Sequence, residues 1–345
     1  MRALMFTALL LLAACSKVGE GEITTLVYAS PYAPSHPFSR ADQIWMAHVE
    51  AASGGSLRIR PVWSGALLSS EHSMTELRHG LADIGLITPI YTKGGTHLIR
   101  IQSGFYSGIT TMSGQLALYR CLQQASPQFD TEMQGLRVLA VQGGSLPGII
   151  TVSRQVNTLN DLRGLRLRAP AELLGVLEDL GADPVNMPMG DVYSALAKGV
   201  IDGVVAPLDT FRALHFGEVA DFYAQLLIPR GAYPARAINL DSWSGLTTAQ
   251  QEVLEQSIGI WESALAEQVE VATVQGREQA LADGVVFTGI SATDQQLFDE
   301  LYMQEAAANA ASASARYGID AMTVFNVARA SVVPDSGVRC MEGVF

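Results

Sequence analysis

The motif Leu-x-x-Gly-x-x-Asp occurs twice, as Leu77-Arg78-His79-Gly80-Leu81-Ala82-Asp83 and as Leu196-Ala197-Lys198-Gly199-Val200-Ile201-Asp202. Glycine after the last turn of a helix takes the left-handed conformation that other residues disfavour. The aspartate three residues on opens the next strand. One copy is a weak signal. Two copies, both at a helix-to-strand passage, imply two similar α/β units in one chain.

The flanking pattern agrees. Residues 23–30, ITTLVYAS, are β-branched and aromatic and read as a strand. Pro31, Pro34 and Pro37 make residues 31–37 a rigid loop. Apolar residues then recur at Ala41, Ile44, Trp45, Val49 and Ala52, a helical spacing closed by Gly54-Gly55. Residues 57–63 alternate as a strand, 71–79 form a helix and 82–88 another strand. Such alternation predicts a parallel or mixed sheet under helical cover.

The C-terminal part is different. Thr248 and Gln251 have capping-box spacing. Val253, Leu254, Ile258, Trp261, Leu265, Val269 and Ala272 continue one apolar face to about Leu281. Roughly 33 residues at 1.5 Å each span about 50 Å. That exceeds one small lobe, so the helix is expected to lie across both as a spine, with Gly276 as the place for a break. A second helix is expected over 293–316, before Gly318.

The chain has 345 residues. Arg2 precedes an apolar run over 3–14, shorter than the roughly 20 residues of a bilayer span. Residues 1–14 therefore read as a signal peptide. Leu12-Ala13-Ala14-Cys15 resembles a bacterial lipobox, which makes Cys15 the expected lipidation site and 15–22 a tether to the membrane. The body of about 320 residues outgrows a single core. The expected division is 23–145 plus 234–273 in lobe I and 146–233 plus 274–330 in lobe II. Residues 331–345 form a C-terminal tail with no clear period.

A formal net charge of −12 argues against nucleic acid as a partner. Cys121 and Cys340 remain after Cys15. In an oxidising compartment they pair as a disulfide that pins the tail, or they stay as two buried thiols. Enzyme motifs are missing. Gly143-Gly144-Ser145-Leu146-Pro147 has proline where a nucleophile elbow needs glycine, and reads as a turn between lobes. His72 and His79 share a helix face, but no cysteine or carboxylate cluster joins them, so no metal site is expected. No Gly-x-Gly-x-x-Gly follows a strand, so no nucleotide cofactor is expected.

Arg166 and Arg168, in Arg163-Gly164-Leu165-Arg166-Leu167-Arg168-Ala169-Pro170, sit two apart on one face of a short strand. A guanidinium at a strand end in an α/β fold suits a ligand carboxylate. Two solvated arginines paired with acids suit the pattern equally.

Residues 161–207 resemble the signature region of the solute-binding subunits of tripartite ATP-independent periplasmic (TRAP) transporters, the DctP family. The similarity lies in Asp161-Leu162-x-Gly164-Leu165-x-x-Arg168-x-Pro170, in Leu180-Gly181-Ala182-x-Pro184-Val185-x-Met187-Pro188, and in Asp191-Val192-Tyr193-x-Ala195-Leu196 followed by Gly199-Val200-Ile201-Asp202-Gly203. Ser35-His36-Pro37, Gly54-Gly55-Ser56-Leu57 and Leu77-x-x-Gly80-x-x-Asp83-Ile84-Gly85 match as well, so the resemblance spans roughly 24–316. It implies a bilobal α/β periplasmic solute-binding fold with a hinge and a lobe-spanning helix. It also implies a small organic acid as ligand, TRAP membrane permease subunits as partners and no catalysis. Arg168 matches the arginine that holds the carboxylate in this family; Arg166 falls on a variable, solvated position. A lipid-anchored sensor without a transport role is the alternative.

Two departures bear on the ligand. Many members carry Gln-Glu-Asn-Pro where this chain has Val204-Val205-Ala206-Pro207, so Ala206 replaces an asparagine that reaches the ligand. Some carry a second arginine where this chain has Gly148. The expected ligand is a monocarboxylate with an apolar or aromatic body, such as a 2-oxo acid. Phe105, Met189 and Tyr233 are candidate walls, and Thr88 and Asp209 candidate polar contacts. Arg236, on an expected crossing strand, is a candidate second charge that would admit a diacid.

Overall fold

Two sheets of matching design carry the fold. The computed structural model describes residues 23–334 and 337–340. The expected signal peptide, Cys15 and the tether lie outside the described residues. In chain order the strands of the two sheets are β1 (Thr24–Ala29), β2 (Leu57–Val62), β3 (Ile84–Leu86), β4 (Leu136–Gln142), β5 (Gly148–Thr151), β6 (Arg166–Arg168), β7 (Asp183–Val185), β8 (Gly203–Ala206), β9 (Phe222–Gln225), β10 (Tyr233–Asn239) and β11 (Val286–Gly289). The first sheet has the order β2-β1-β3-β10-β4, the second β11-β9-β5-β8-β6-β7. In the first, β1 runs parallel to β2 and β3, and β10 is antiparallel to β3 and β4. In the second, β6 runs parallel to β7 and β8, and β5 is antiparallel to β8 and β9. The run β7-β6-β8-β5-β9 therefore repeats β2-β1-β3-β10-β4 strand for strand, and β11 is an addition at the β9 edge.

The repeated motif has one job in both lobes. Gly80 and Gly199 end the helices Ser73–Arg78 and Val192–Ala197 at φ 74° and 65°. Asp83 accepts the backbone N–H of Val27 on β1 at 2.7 Å, and Asp202 accepts that of Arg166 on β6 at 2.8 Å. Each carboxylate thus ties its strand entrance to the neighbouring parallel strand.

The chain crosses between lobes over 143–147 and 226–232, and again along two long helices. The spine is interrupted at Ser257, between the helices Thr248–Gln256 and Ile258–Ala282. Its capping box is Thr247 with Gln250, one residue before the expected pair. Ser257 Oγ donates to the Leu254 carbonyl at 2.7 Å and accepts from Trp45 Nε1 at 2.7 Å, while the Ser257 N–H still bonds to Val253 and the Trp261 N–H to Ser257 across the joint. Gly276 is not a break. A Cβ at Gly276 would lie 2.8 Å from Asp209 Cα, so its lack of a side chain lets Leu208–Asp209 dock on the helix. Trp261, Ala264, Leu265 and Val269 of this helix enter the lobe I core, and Ala280 enters that of lobe II.

The helix Ala292–Tyr317 does the reverse. Phe298 and Tyr302 pack in lobe II, and Ala306, Ala310 and Ala313 pack in lobe I. The next helix, Ala321–Ser331, buries Val324, Phe325 and Ala328 in lobe I as well. The expected placement of all of 274–330 in lobe II is corrected accordingly: from Ala306 onward this segment belongs to the lobe I core. An alanine stripe carries no local sign of which lobe it faces. Among the described residues no helix is long and apolar enough to cross a membrane.

Cys121, on the helix Met112–Gln124, forms a disulfide with Cys340, with Cα atoms 5.2 Å apart. The bridge joins positions 219 residues apart in sequence. Reduction is expected to lower the unfolding free energy by about 2–4 kcal/mol, because the denatured chain regains the freedom of a long loop. Peptide mapping of the unreduced protein checks the link itself; free thiols at both positions would contradict it.

Candidate functional site

A cavity of about 110 Å³ lies between the lobes. Both crossings and the strand ends of both sheets face it. Aromatic walls come from Tyr32, Phe38, Tyr91 and Tyr233, and aliphatic ones include Leu173, Met189 and Val205. Ligand sites for drug-sized molecules run to roughly 300–1,000 Å³. This chamber suits a smaller guest.

Arg168 ends β6 and is 2% exposed. Its Nε donates to the Met187 carbonyl at 2.9 Å, within its own lobe. Its Nη2 donates to the Tyr91 hydroxyl across the cleft at 2.7 Å. The two bonds fix the guanidinium plane, and neither uses Nη1. Because the Tyr91 oxygen already accepts from Arg168, its own O–H is directed elsewhere. Arg166 points the other way along the sheet rim, where its Nε pairs with exposed Asp183 at 3.0 Å. One strand face thus holds two arginines in different settings, Arg168 at the buried end of β6 and Arg166 at its exposed start.

Two charged residues of the chamber, Arg230 and Glu172, were not legible in the sequence; they line it together with the expected Asp209. Arg230 Nη1 donates to the Ser145 carbonyl at 3.3 Å. A Cβ on Gly144 would fall 2.6 Å from that same Nη1, so Gly144 makes room for a cation. The Ser145 hydroxyl shares a hydrogen bond with Thr273 on the spine helix. Burial pushes the Glu172 carboxyl up, and the two arginines, Arg168 more than Arg230, oppose this. Burial likewise raises the Asp209 carboxyl, against Arg230. His36, N-cap of the helix Pro37–Ala52, stacks on Tyr32 at 4.1 Å. Burial, helped by Arg236, lowers its pKa to about 3, so it presents a neutral ring.

Among the expected site residues, Arg168, Thr88, Met189, Asp209 and Tyr233 line the chamber. The Thr88 hydroxyl is already engaged by Ser73 and the Ser70 carbonyl. Burial raises the Tyr233 phenol, which keeps it protonated. Its oxygen accepts from Gln142 Nε2 at 3.3 Å, which leaves its O–H as a donor. Three expectations are corrected. Phe105 sits in the lobe I core, edge-on to Phe325 at 5.2 Å, away from the chamber. Ala206 faces the lobe II core while its neighbours Val205 and Pro207 form the wall, as strand alternation requires. Arg236 is 0% exposed and bound to Asp42, 2.8 Å away, so it is a core ion pair; the second cation of the chamber is Arg230.

The glycine at 148 also has a cause. A Cβ there would lie 2.6 Å from the Tyr223 hydroxyl, so an arginine at this position is sterically shut out. Burial pushes that phenol up to about 12. A wider groove of about 370 Å³ lies beside the chamber, lined by Arg40, Arg212 and Gln275, and Asp209 borders both.

Two similar α/β lobes, a cleft with a buried cation and helices that span the hinge define a bilobal solute-binding protein. Residues 28–312 match the family profile of bacterial extracellular solute-binding proteins, family 7, and the chain belongs to this family, DctP, the solute-binding proteins of TRAP transporters. The chain is 31% identical to a solute-binding protein of Roseobacter denitrificans over 113 residues, 32% of this chain and 34% of that protein. It is 22% identical to a monocarboxylate 2-oxoacid-binding periplasmic protein of a Nostoc species, over 60% of this chain and 57% of that one. These alignments span from about a third to just over half of the relatives' lengths. A TRAP solute-binding protein of Rhodoferax ferrireducens, solved with copurified benzoate, superimposes with a TM-score of 0.80 at 25% identity, covering 89% of this chain and 97% of its own. The same fold, in a protein of Bradyrhizobium, holds galacturonate. The fold alone does not choose between an aromatic acid and a sugar acid.

Proposed function

We propose that this protein captures a small monocarboxylate with an aromatic or apolar body and delivers it to the membrane permease of a TRAP transporter. One observation carries the reading: a buried, pre-oriented guanidinium, Arg168, in a small chamber walled mainly by aromatic and aliphatic side chains. The carboxylate takes Arg168, and the O–H groups of Tyr91 and Tyr233 are placed to donate to it. The flat body fills the space between Tyr32, Phe38 and Met189. The ligand of the Rhodoferax relative, benzoate, has this shape. Phe38, Leu173, Met189 and Val205 offer no hydrogen-bond partners along much of the wall, which makes the chamber costly for a polyhydroxylated guest. Under the same reading, acylated Cys15 holds the chain at a membrane, and an unmodified Cys15 in the mature N-terminal peptide would refute that part. Family membership favours delivery over sensing without transport.

A thermal-shift screen tests the ligand class. A ligand at 100 times its dissociation constant stabilises the folded state by about 2.7 kcal/mol. Benzoate, phenylacetate or an aromatic 2-oxo acid is expected to give that response, and succinate and galacturonate little. A strong response to succinate or galacturonate, with aromatic acids silent, overturns the proposal.

A further inference from the structure

We propose that the groove beside the chamber is a second binding site, for a small acid with an oxyanion group at each end, and that its occupant joins the two lobes. The site itself is independent of the ligand class proposed above. Its coupling to the chamber rests on that reading.

The groove holds about 370 Å³, within the roughly 300–1,000 Å³ of drug-sized ligand sites, against about 110 Å³ for the chamber. Its walls come from different lobes. Arg40 stands on the first turn of the helix Pro37–Ala52, whose Phe38, Ala41 and Trp45 belong to the lobe I core. Arg212 stands on the short helix Thr210–Ala213, whose Phe211 belongs to the lobe II core. The spine helix Ile258–Ala282 forms the floor. Gln268, Gln275 and Gln279 line it at i, i+7 and i+11, along one helix face. At 1.5 Å per residue that floor is about 16 Å long.

The unpaired groups of the groove define its guest. Acids outnumber cations in this chain, yet among the described residues neither Arg40 nor Arg212 has a side-chain hydrogen bond or ion pair. The acids beside them are engaged or buried. Glu218 accepts from the Tyr193 hydroxyl at 2.8 Å and pairs with His215 at 3.4 Å. Asp283 accepts from Gln279 Nε2 at 2.8 Å and lies against Gly217, where a Cβ would fall 2.9 Å from its carboxyl carbon. Asp209 is 6% exposed. The half-buried amides of Gln268 and Gln275 have no side-chain partners among the described residues either. Two unpaired guanidinium groups, one from each lobe, call for two negative groups, one at each end of the guest. The amides between them both donate and accept, which suits a hydroxylated body. A neutral or cationic guest leaves both arginines unanswered. A guest held at both ends spans the lobes and favours the arrangement that encloses the chamber. By linkage the two ligands then raise each other's affinity by the same factor.

Calorimetry with two pairs of probes tests the site: fructose 1,6-bisphosphate against fructose 6-phosphate, and galactarate against galacturonate. In at least one pair the acid charged at both ends is expected to bind about tenfold or more tightly than its partner, the least that a hydrogen bond to a charged group supplies. The pair that responds tells phosphate from carboxylate. Arg40→Ala and Arg212→Ala are each expected to erase the advantage, and Arg168→Ala to leave it unchanged, with melting temperatures reporting that the variants fold. Equal affinity within both pairs overturns the site. So does an advantage that survives in Arg40→Ala/Arg212→Ala, or one that is lost in Arg168→Ala. Titration into protein saturated with benzoate is expected to show the preferred acid binding about fivefold or more tightly than without it. Unchanged affinity overturns the coupling. Failure of benzoate itself to bind is instead the failure of the ligand class proposed above, and the arginine variants still judge the groove.

Discussion

Arg168→Ala is expected to weaken carboxylate binding by about 3–5 kcal/mol, a loss of a few hundred- to a few thousandfold. The reason is an asymmetry of desolvation. The ligand carboxylate leaves water to enter a chamber whose other charges are Glu172, Asp209 and the half-buried Arg230. Without Arg168 it faces two acids with one cation, and its own hydration is not replaced. Arg168→Lys is expected to recover part of the affinity, because the charge returns without the planar fork that reaches Met187, Tyr91 and the ligand together. Arg230→Ala is expected to cost less than Arg168→Ala, since Arg230 keeps contact with solvent. Calorimetry with the best ligand from the screen measures all three, and the melting temperature of the ligand-free variants reports on folding. Affinity in Arg168→Ala within about threefold of wild type would falsify Arg168 as the anchor and move the role to Arg230.

What the sequence disclosed and what it withheld follow from range. The Gly80 and Gly199 helix stops, and the aspartates three residues on, act within a few residues or on an adjacent strand, so their spacing is written in the chain. The antiparallel strands β5 and β10 are different. Each follows directly from a crossing, and its direction is set by the opposite sheet. The interruption of the spine lies at Ser257, whose hydroxyl accepts from Trp45, 212 residues away. Gly276 gave the same local signal as a break, but its real task is to admit Leu208–Asp209, far earlier in the chain. Arg230 became part of the site only through Gly144, which lies on the other crossing. A Pro-Arg-Gly flanking pattern was its one local clue.

Arg236 shows the same limit with the largest consequence for stability. A lone arginine on a crossing strand looks like a ligand contact until its partner is found 194 residues earlier. Asp42 Oδ1 accepts from Arg236 Nε at 2.8 Å and from Trp261 Nε1 at 2.9 Å, and Oδ2 accepts from the Tyr28 hydroxyl. Arg236 Nη1 continues to Gln142 at 2.8 Å. Its Nη2 has no protein partner, but the guanidinium carbon lies 5.8 Å from the ring centroids of both Phe38 and Trp261. Asp42→Ala removes the anion and leaves a fully buried cation with only neutral neighbours. Such a loss is expected to destabilise the protein by about 3–5 kcal/mol. The double variant Asp42→Ala/Arg236→Met is expected to be more stable than the single one, because the uncompensated charge disappears and methionine fills most of the volume. Urea unfolding of the three proteins checks both statements. A single variant within about 1 kcal/mol of wild type, or a double variant weaker than the single, would show that the cation is compensated in another way. The effect extends to the chamber, since Gln142 links Arg236 to the Tyr233 hydroxyl. Even the rescued double variant is therefore expected to bind its acid less tightly, as Gln142 loses the donor that holds it and Tyr233 loses its fixed orientation.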